Sequence, residues 1–497
     1  MKLNYILNKC GLSAAVKDTE ITSVEYDSRC CTEGSLFVAV HGLVSDGHDY
    51  IETAVKNGAA AVIALENNGR VTGDSIRGIP VIYADDTRRM LSLASYVFYG
   101  EVSSRIPVIG ITGTNGKTSI TYMMESVLKT CGYKPGVIGT VNYRWLDNVR
   151  PAPNTTPESR DVQMLMGEMY NDGVDVIVME VSSHGLDLGR VDHVHFKLAG
   201  FTNMTRDHLD YHIDFDNYFA AKRKLFDLLE KSVQSEKYAV LNIDDEYGKK
   251  MYDYCISKNF RTKGFSFTGK SDFSVSEKKP EVTISGVKFS MDGSNDEINL
   301  KIPGRFSLFN AVTSFALCSC LGIEDEKIKL GLESLKTVPG RFDRVNFDAD
   351  FDVVVDYAHT GDALEKVLVS AGEVASNRLI TVFGCGGDRD HGKRPIMGRI
   401  ALENSDVTIV TSDNPRTEDP LAIIKDIEDG IRGEGREYFV IPDREKAIAE
   451  AVSIAEAGDL IVIAGKGHED YQIIGKEKFH FDDREIAVKY MKQKVNK

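Results

Sequence analysis

Gly113-Thr114-Asn115-Gly116-Lys117-Thr118-Ser119 follows the apolar run Val108-Ile109-Gly110-Ile111 and precedes a stretch in which Ile120, Met123, Met124, Val127 and Leu128 recur at helical spacing before Gly132. A glycine-rich turn between a buried strand and a helix aims backbone N–H groups and the positive end of the helix dipole at one spot. That spot suits polyphosphate. Lys117 adds a charge there and Thr118 a hydroxyl for magnesium. The strict phosphate-loop pattern asks for a glycine where this chain has Ile111, so the loop is a shortened Gly-x-x-Gly-Lys-Thr variant. This stretch predicts a nucleotide-binding α/β unit.

The chain has 497 residues, more than the roughly 250–300 at which single cores stop growing, so several domains are expected. A formal charge of −15 argues against a nucleic-acid surface, which needs clustered Lys and Arg. The eight cysteines include Cys30-Cys31 and Cys318-x-Cys320 but no Cys-x-x-Cys, which fits buried reduced thiols better than zinc or disulfides. No run approaches the 18 or so apolar residues of a membrane span. A cytoplasmic monomer is expected.

Upstream of the loop, residues 1–103 read as a small α/β domain. The strand Ser35-Leu36-Phe37-Val38-Ala39-Val40 leads into a turn-rich loop at 42–48, a short helix from Ile51 to Gly58 and the strand Ala60-Ala61-Val62-Ile63-Ala64. Asp27-Ser28-Arg29 suits an anionic or hydroxylated ligand, although alone it also describes a turn with a surface arginine.

Residues 104–338 form the expected nucleotide domain. Asp175-Val176-Ile177-Val178-Met179-Glu180-Val181 is a continuous apolar run, as in a parallel sheet covered on both faces. It delivers Glu180 and then Ser182-Ser183-His184 at a carboxyl edge, where open α/β sheets bind ligands. A carboxylate there can hold magnesium or cap a helix. His208 and His212 lie one helical turn apart, but no Glu stands between them as in zinc proteases, so a single His beside magnesium is favoured. Tyr218, Lys222, Leu225, Phe226 and Leu229 share one helical stripe, which puts Lys222 on an apolar face. Burial favours the neutral amine, which can take up carbon dioxide as a carbamate. Read from the residues alone, a lysine snorkelling to the helix edge remains the simpler account. Between about 262 and 303 short alternating strands suggest a β elaboration, with Ser285-Gly286 as a hairpin turn.

A linker is expected near Val338-Pro339-Gly340-Arg341-Phe342. Beyond it, residues 339–497 read as a Rossmann-like α/β domain in which four apolar strands each end in a polar cluster. These are Asp356-Tyr357-Ala358-His359, Gly384-Cys385-Gly386-Gly387-Asp388-Arg389, Asp413-Asn414-Pro415-Arg416 and Gly465-Lys466-Gly467-His468-Glu469. Gly384-x-Gly386 is not an NAD fingerprint, because its third glycine would fall on Arg389. A phosphate loop with a magnesium carboxylate and a separate domain rich in Arg, Asn and carboxylate points to a ligase. ATP would activate a carboxylate that an amine then attacks.

The phosphate loop, Asn154-Thr155-Thr156-Pro157, Glu180-Val181-Ser182-Ser183-His184, Thr205-Arg206-Asp207-His208-Leu209-Asp210, Asp356-Tyr357-Ala358-His359 and the 465–469 motif together resemble the Mur ligases of bacterial peptidoglycan synthesis. The resemblance covers all three domains. It implies an N-terminal UDP-binding domain, a central ATP-binding domain and a C-terminal amino-acid-binding domain. It also implies ATP, UDP-MurNAc-L-Ala-D-Glu and a diamino acid as substrates. By that resemblance Gly113 to Ser119, with Asn310, Arg341 and Asp356, contact ATP, and Thr118, Glu180, His208 and a carbamylated Lys222 serve magnesium. Lys117, Glu180, His208 and Lys222 are the implied catalytic set. Ser28, Thr155, Thr156, Ser182 and Arg190 are implied contacts to the UDP substrate, whereas Leu188 stands where many relatives carry Gln, and Gly361 replaces a frequent proline.

Arg389, Asp413, Asn414, Pro415, Arg416, Gly465 and Glu469 are implied to hold the amino acid. Arg416 can grip a carboxylate with two parallel N–H bonds, and meso-diaminopimelate has a second carboxylate where lysine has only the amine. Diaminopimelate is therefore expected over L-lysine. A lysine-adding version, a relative resembling folylpolyglutamate synthetase and a catalytically silent nucleotide-binding module are the alternatives.

Overall fold

The computed structural model describes every residue except 43, 44, 68, 295, 433–435, 437, 496 and 497, and the side chain of residue 210. Leu43 and Val44 of the turn-rich loop therefore lie outside the described residues. Each large sheet draws its strands from one stretch of chain. The first is five-stranded, in the order Ser23–Glu25, Ser35–Val38, Ala59–Leu65, Ile79–Ala84 and Ser75–Ile76. Its pairings are parallel except the last, the turn through Arg77 and Gly78.

The second sheet has nine strands. At its centre Val108–Thr112 lies between Val176–Glu180 and Leu198–Phe201, parallel to both, with Ile111 level with Glu180 on one side and Gly200 on the other. These strands are buried throughout because helices cover both faces. Val108 packs into one apolar layer, Ile109 and Ile111 into the opposite one. Ile120, Met123, Met124, Val127 and Leu128 of the helix Lys117–Thr130 are all buried in that second layer, as their spacing predicts.

Two features differ from the reading of the sequence. Thr262–Ser266 and Phe273–Ser274 are not part of the β elaboration; they extend the nine-stranded sheet in parallel, because Glu246–Ser257 forms a crossover helix before them. The elaboration itself is the antiparallel trio Glu281–Thr283, Gly286–Ser290 and Glu297–Leu300. At the far edge, Asn142–Trp145 and Asn148–Pro151 add an antiparallel hairpin that the sequence did not announce.

The third sheet runs Asp343–Arg344, Asp352–Asp356, Leu460–Ala464, Leu379–Phe383, Val407–Val410 and Tyr438–Val440, parallel except at its first strand. The four expected strands thus lie side by side, and their polar clusters emerge along one edge. A buried ion pair braces that edge. Arg444 and Asp483 are each the first residue of a helix, and the guanidinium meets the carboxylate with two bonds of 2.8 and 2.7 Å. The same guanidinium donates to Ser412 and Ala464 carbonyls, the residues before Asp413 and Gly465. Breaking a buried pair leaves one charge uncompensated, which costs about 3–5 kcal/mol. Arg444→Met is expected to lower unfolding free energy by that amount, read as the denaturant midpoint; a shift under about 1 kcal/mol would refute a bracing role.

The first unit is tied to the second by Arg160, which donates to the Val24 carbonyl and to Glu25, and by Tyr26, whose hydroxyl donates to Asp161. Among the described residues no helix is long and apolar enough to cross a membrane.

Candidate functional site

Gly116 caps the helix Lys117–Thr130 with φ 93°, a left-handed conformation open to glycine. A Cβ there would also stand 2.4 Å from Asn310 Oδ1, so Asn310, buried on the helix Arg305–Cys320, presses against the loop. Lys117 folds back over the turn, donating to the Gly113 and Thr114 carbonyls at 2.8 and 3.0 Å. Burial pulls its ammonium below the ordinary lysine range, with Glu180 and Asp207 opposing.

Glu180 is the hub beside the loop. Its carboxylate accepts from Thr118 Oγ1 at 3.1 Å, from the Thr140 amide at 2.9 Å and from Thr140 Oγ1 at 2.8 Å. Thr155 meets Thr140 hydroxyl to hydroxyl at 3.0 Å, while Thr156 Oγ1 donates to the Glu180 carbonyl and accepts from the Ser182 amide. Arg190 donates to the Thr156 carbonyl, and the Ser182 hydroxyl caps the short helix Ser183–Asp187. Ser28 is buried in the first unit, and among the described residues it makes no hydrogen bond to this group. Leu188 has no polar side chain to offer: its carbonyl accepts from Arg88 and its amide donates to the His184 carbonyl.

Behind the loop, Tyr218, Lys222, Leu225, Phe226 and Leu229 are buried on the helix Phe215–Lys231, as the stripe predicts. Lys222 does not snorkel: it is 1% exposed, its Nζ lies 4.3 Å from the Tyr218 ring centroid, and among the described residues no carboxylate pairs with it. Burial drives its ammonium well below the ordinary range, and the Lys117 charge acts in the same direction. Tyr218 links this helix to the loop through Thr114, hydroxyl to hydroxyl at 3.1 Å. His208 stands with its ring centroid 4.8 Å from that of His184 and 6.3 Å from that of Tyr218. Its side chain stays 44% exposed, and partial desolvation beside the loop lowers the imidazole to about 4 against the opposing Asp207.

The third unit closes over the loop. Arg341 donates to Thr118 Oγ1 at 3.3 Å, while its Nε is buried with no hydrogen-bond partner among the described residues. An orphaned donor beside a phosphate loop fits an anion. Asp356 accepts the Phe342 and Ala358 amides at 2.7 Å each, and burial raises its carboxyl to about 6. Asp362, which the sequence reading passed over, accepts from Asn115 Nδ2 at 2.9 Å and Thr205 Oγ1 at 2.7 Å. Gly361 begins the helix Gly361–Gly372 behind the Thr360 cap, the first-turn position that proline also favours, so the replacement leaves the helix start intact. Lys117, Thr118, Glu180, Asn310, Arg341 and Asp356 all line one cleft of about 1420 Å³.

The amino-acid residues lie outside that cleft, around the edge of the third sheet. Asn414 Nδ2 donates to Glu469 at 2.9 Å, and Asn414 Oδ1 accepts from Lys466 at 3.2 Å. Lys466, also unforeseen, is fully buried 3.9 Å from Asp413 and 3.8 Å from Glu469. Burial raises the Glu469 carboxyl, Asp413 adding and Lys466 opposing. Gly465 has φ 118°, and a Cβ on it would meet Asp413 Oδ2 at 2.5 Å. Arg416 donates one N–H to the Gly387 carbonyl at 2.7 Å, leaving the rest of its fork without a protein partner among the described residues. Arg389 is exposed on the facing loop, and Pro415 is buried. Tyr357 joins the two regions: Arg341 lies over its ring at 4.9 Å, and the His468 ring, next to Glu469, is 4.9 Å away. Its place in the Asp356-Tyr357-Ala358-His359 motif was the signal that sequence reading left unused.

A shortened phosphate loop at the centre of a parallel sheet, with a carboxylate on the neighbouring strand and a third unit reaching over both, defines a nucleotide-binding enzyme of the phosphate-loop class. Comparison with known families narrows it: residues 20–95 match the "Mur ligase family, catalytic domain", 111–318 the "Mur ligase middle domain" and 340–467 the "Mur ligase, glutamate ligase domain". The chain belongs to the Mur ligase family. It is 43% identical over 489 residues to the UDP-N-acetylmuramoyl-L-alanyl-D-glutamate--2,6-diaminopimelate ligase of Clostridioides difficile (strain 630), covering 98% of this chain and 99% of that one. The corresponding ligase 1 of Clostridium acetobutylicum is 42% identical over 499 residues, covering 99% and 100%. A solved structure of a UDP-N-acetylmuramoyl-L-alanyl-D-glutamate--2,6-diaminopimelate ligase superposes with a TM-score of 0.70 at 30% identity, covering 99% of both chains.

Proposed function

We propose that this chain uses ATP to join meso-2,6-diaminopimelate to UDP-MurNAc-L-Ala-D-Glu, with units divided near residues 103 and 338. The reading is carried by one observation: an unbroken run of contacts from Thr118 through Arg341 and Tyr357 to His468, next to Glu469, which connects the phosphate loop to the amino-acid loops. Full-length similarity to diaminopimelate ligases supports it.

In the first step a D-glutamyl carboxylate oxygen bonds to the γ-phosphorus of ATP as the bond to the β-phosphate oxygen breaks, releasing ADP. In the second, the neutral amine of diaminopimelate attacks the acyl carbon. The carbon–oxygen bond to phosphate breaks, phosphate leaves, and the nitrogen sheds a proton to solvent. Phosphoryl transfer of this kind needs positioning and charge stabilisation more than covalent help. Backbone amides of the loop, Lys117 and Arg341 supply both for the phosphates. Thr155, Thr156, Ser182, Arg190 and Ser28 are assigned to the UDP substrate.

The oxygen donors Thr118 and Glu180 fit Mg2+, with His208 beside them. Bound magnesium would neutralise charge on the nucleotide phosphates. Lys222, buried without a carboxylate partner among the described residues, suits a carbamate: its neutral amine would bond to carbon dioxide and lose a proton, which would supply an anionic oxygen donor for magnesium.

Incubating the chain with magnesium, ATP, UDP-MurNAc-L-Ala-D-Glu and meso-diaminopimelate should give a product heavier than the acceptor by one diaminopimelate less one water, with ADP and phosphate released in equal amount. Product from a folate acceptor, or ADP release without amide formation, would overturn the reading.

A further inference from the structure

Two loops of the third unit carry arginines of the amino-acid site: Arg416, assigned to the far carboxylate, on one, and Arg389 on the other. Among the described residues no hydrogen bond joins the two arginines, whose side chains both approach Gly386, so their spacing must be set by the loops that carry them. Between the loops lies Arg394, the second residue of the helix Lys393–Asn404, whose side chain is fully buried. Its guanidinium donates to Glu418 Oε1 at 2.8 Å and to Asp426 Oδ2 at 2.8 Å, and more weakly to the Gly386 carbonyl at 3.4 Å. Glu418 Oε1 also accepts the Asp388 amide, and Asp388 in turn accepts from the Thr417 hydroxyl at 2.7 Å and the Thr417 amide at 3.3 Å. Asp388 precedes Arg389, and Thr417 follows Arg416.

The backbones are pressed together here. The Gly387 amide donates to the Asn414 carbonyl at 2.9 Å, and a Cβ on Gly387 would stand 1.9 Å from the Pro415 carbonyl oxygen. Asp388 and Arg416 hold φ of 53° and 52°, left-handed values that non-glycine residues adopt only when their surroundings enforce them. A buried guanidinium with two fixed carboxylates is such an enforcement, because its planar fork dictates where both acceptors sit.

We propose that Arg394 and Glu418 form a positioning clamp that sets the distance between Arg389 and Arg416, and so selects amino acids with a carboxylate at the far end. The inference rests on the ligase reading above. Neither clamp residue is placed to touch substrate; each acts through the loop it holds. With the loops sprung apart, the grip on the far carboxylate weakens, while ATP and the UDP acceptor, bound elsewhere, are unaffected. L-Lysine, which lacks that carboxylate, gains nothing from the clamp and loses nothing with it.

The test compares full-length wild type, Glu418→Gln and Arg394→Lys in steady-state ligation with meso-diaminopimelate and with L-lysine. Glu418 is 20% exposed at its side chain, so glutamine is tolerated there even if lysine at the buried position destabilises the fold. Ångström-scale misplacement of a positioning group costs up to about a hundredfold. Glu418→Gln is therefore expected to raise KM for diaminopimelate about tenfold, with kcat, KM for ATP and L-lysine turnover unchanged. Arg394→Lys, if folded by its thermal midpoint, should act in the same direction. An unchanged diaminopimelate KM in Glu418→Gln, or a parallel loss for lysine and ATP, would overturn the clamp. A wild-type chain that forms no tripeptide would instead overturn the ligase reading, and the clamp with it.

Discussion

Lys222→Ala is expected to lower the rate of amide formation by at least about a hundredfold at saturating substrates, on the scale of removing one preorganised charge-stabilising donor. The side chain is buried, it lies over the Tyr218 ring, and no carboxylate pairs with it among the described residues. As an ammonium it would be an uncompensated buried charge; as the proposed carbamate it would supply an anionic oxygen behind the phosphate loop, next to Tyr218. A short carboxylate such as acetate should restore part of the Lys222→Ala rate, because it returns the missing oxygens. Lys222→Arg, which keeps a charge but forms no carbamate, should stay inactive. The sign of the burial effect separates chemistry from folding. The folded state binds the lysine proton less tightly than the unfolded chain, so Lys222 costs stability at neutral pH, and that cost fades as pH rises toward about 10.4. Lys222→Met should accordingly be at least as stable as wild type in thermal unfolding while failing in catalysis. Wild-type turnover in Lys222→Ala, or no carboxylate rescue together with no carbon dioxide adduct in the native mass, would remove the carbamate.

Arg416→Ala is expected to reduce kcat/KM for meso-diaminopimelate on the order of a thousandfold and leave the slow reaction with L-lysine nearly unchanged. Sites built to hold a polar partner reject analogues lacking it by about ten-thousandfold or more, so removing the site's half of the pair should forfeit most of that factor. Arg416 spends only one N–H on the Gly387 carbonyl, which leaves the rest of its fork for a carboxylate. Lysine at this position should rescue little, since a point charge cannot reproduce two parallel bonds. If Arg416→Ala lost activity equally with both amino acids, Arg416 would be a structural residue and the selectivity would have to arise elsewhere.

The phosphate loop, its strand and its helix were legible because each obeys a local rule: a continuous apolar run, glycines where the chain turns, and apolar residues at helical spacing. Glu180 and the four polar clusters of the third unit were legible for a related reason, since strand ends of a parallel sheet share one edge. Tyr357, Asp362, Lys466 and Arg394 were not. Tyr357 and Lys466 stand inside motifs that gave them no role of their own, and Asp362 and Arg394 are ordinary residues in their own stretches; all four acquire a role only through partners far along the chain, as Asp362 does with Asn115 and Lys466 with Asn414. The crossover before Thr262–Ser266 was missed because a short strand near a sheet edge reads in the same way as a strand in a separate hairpin.

Periodicity, glycine placement and motif order alone determined that this chain is a multi-domain α/β protein with a nucleotide loop, and they put Lys222 on an apolar face. Only the tertiary structure decided whether that lysine escapes to the helix edge. Helical spacing records which side a residue faces, whereas its freedom to reach water depends on what packs against that side. Here Tyr218 and the body of the second unit enclose it. The same holds for Arg394, Glu418 and Asp426: the two carboxylates lie 24 and 32 residues from the arginine along the chain and meet it only in the fold.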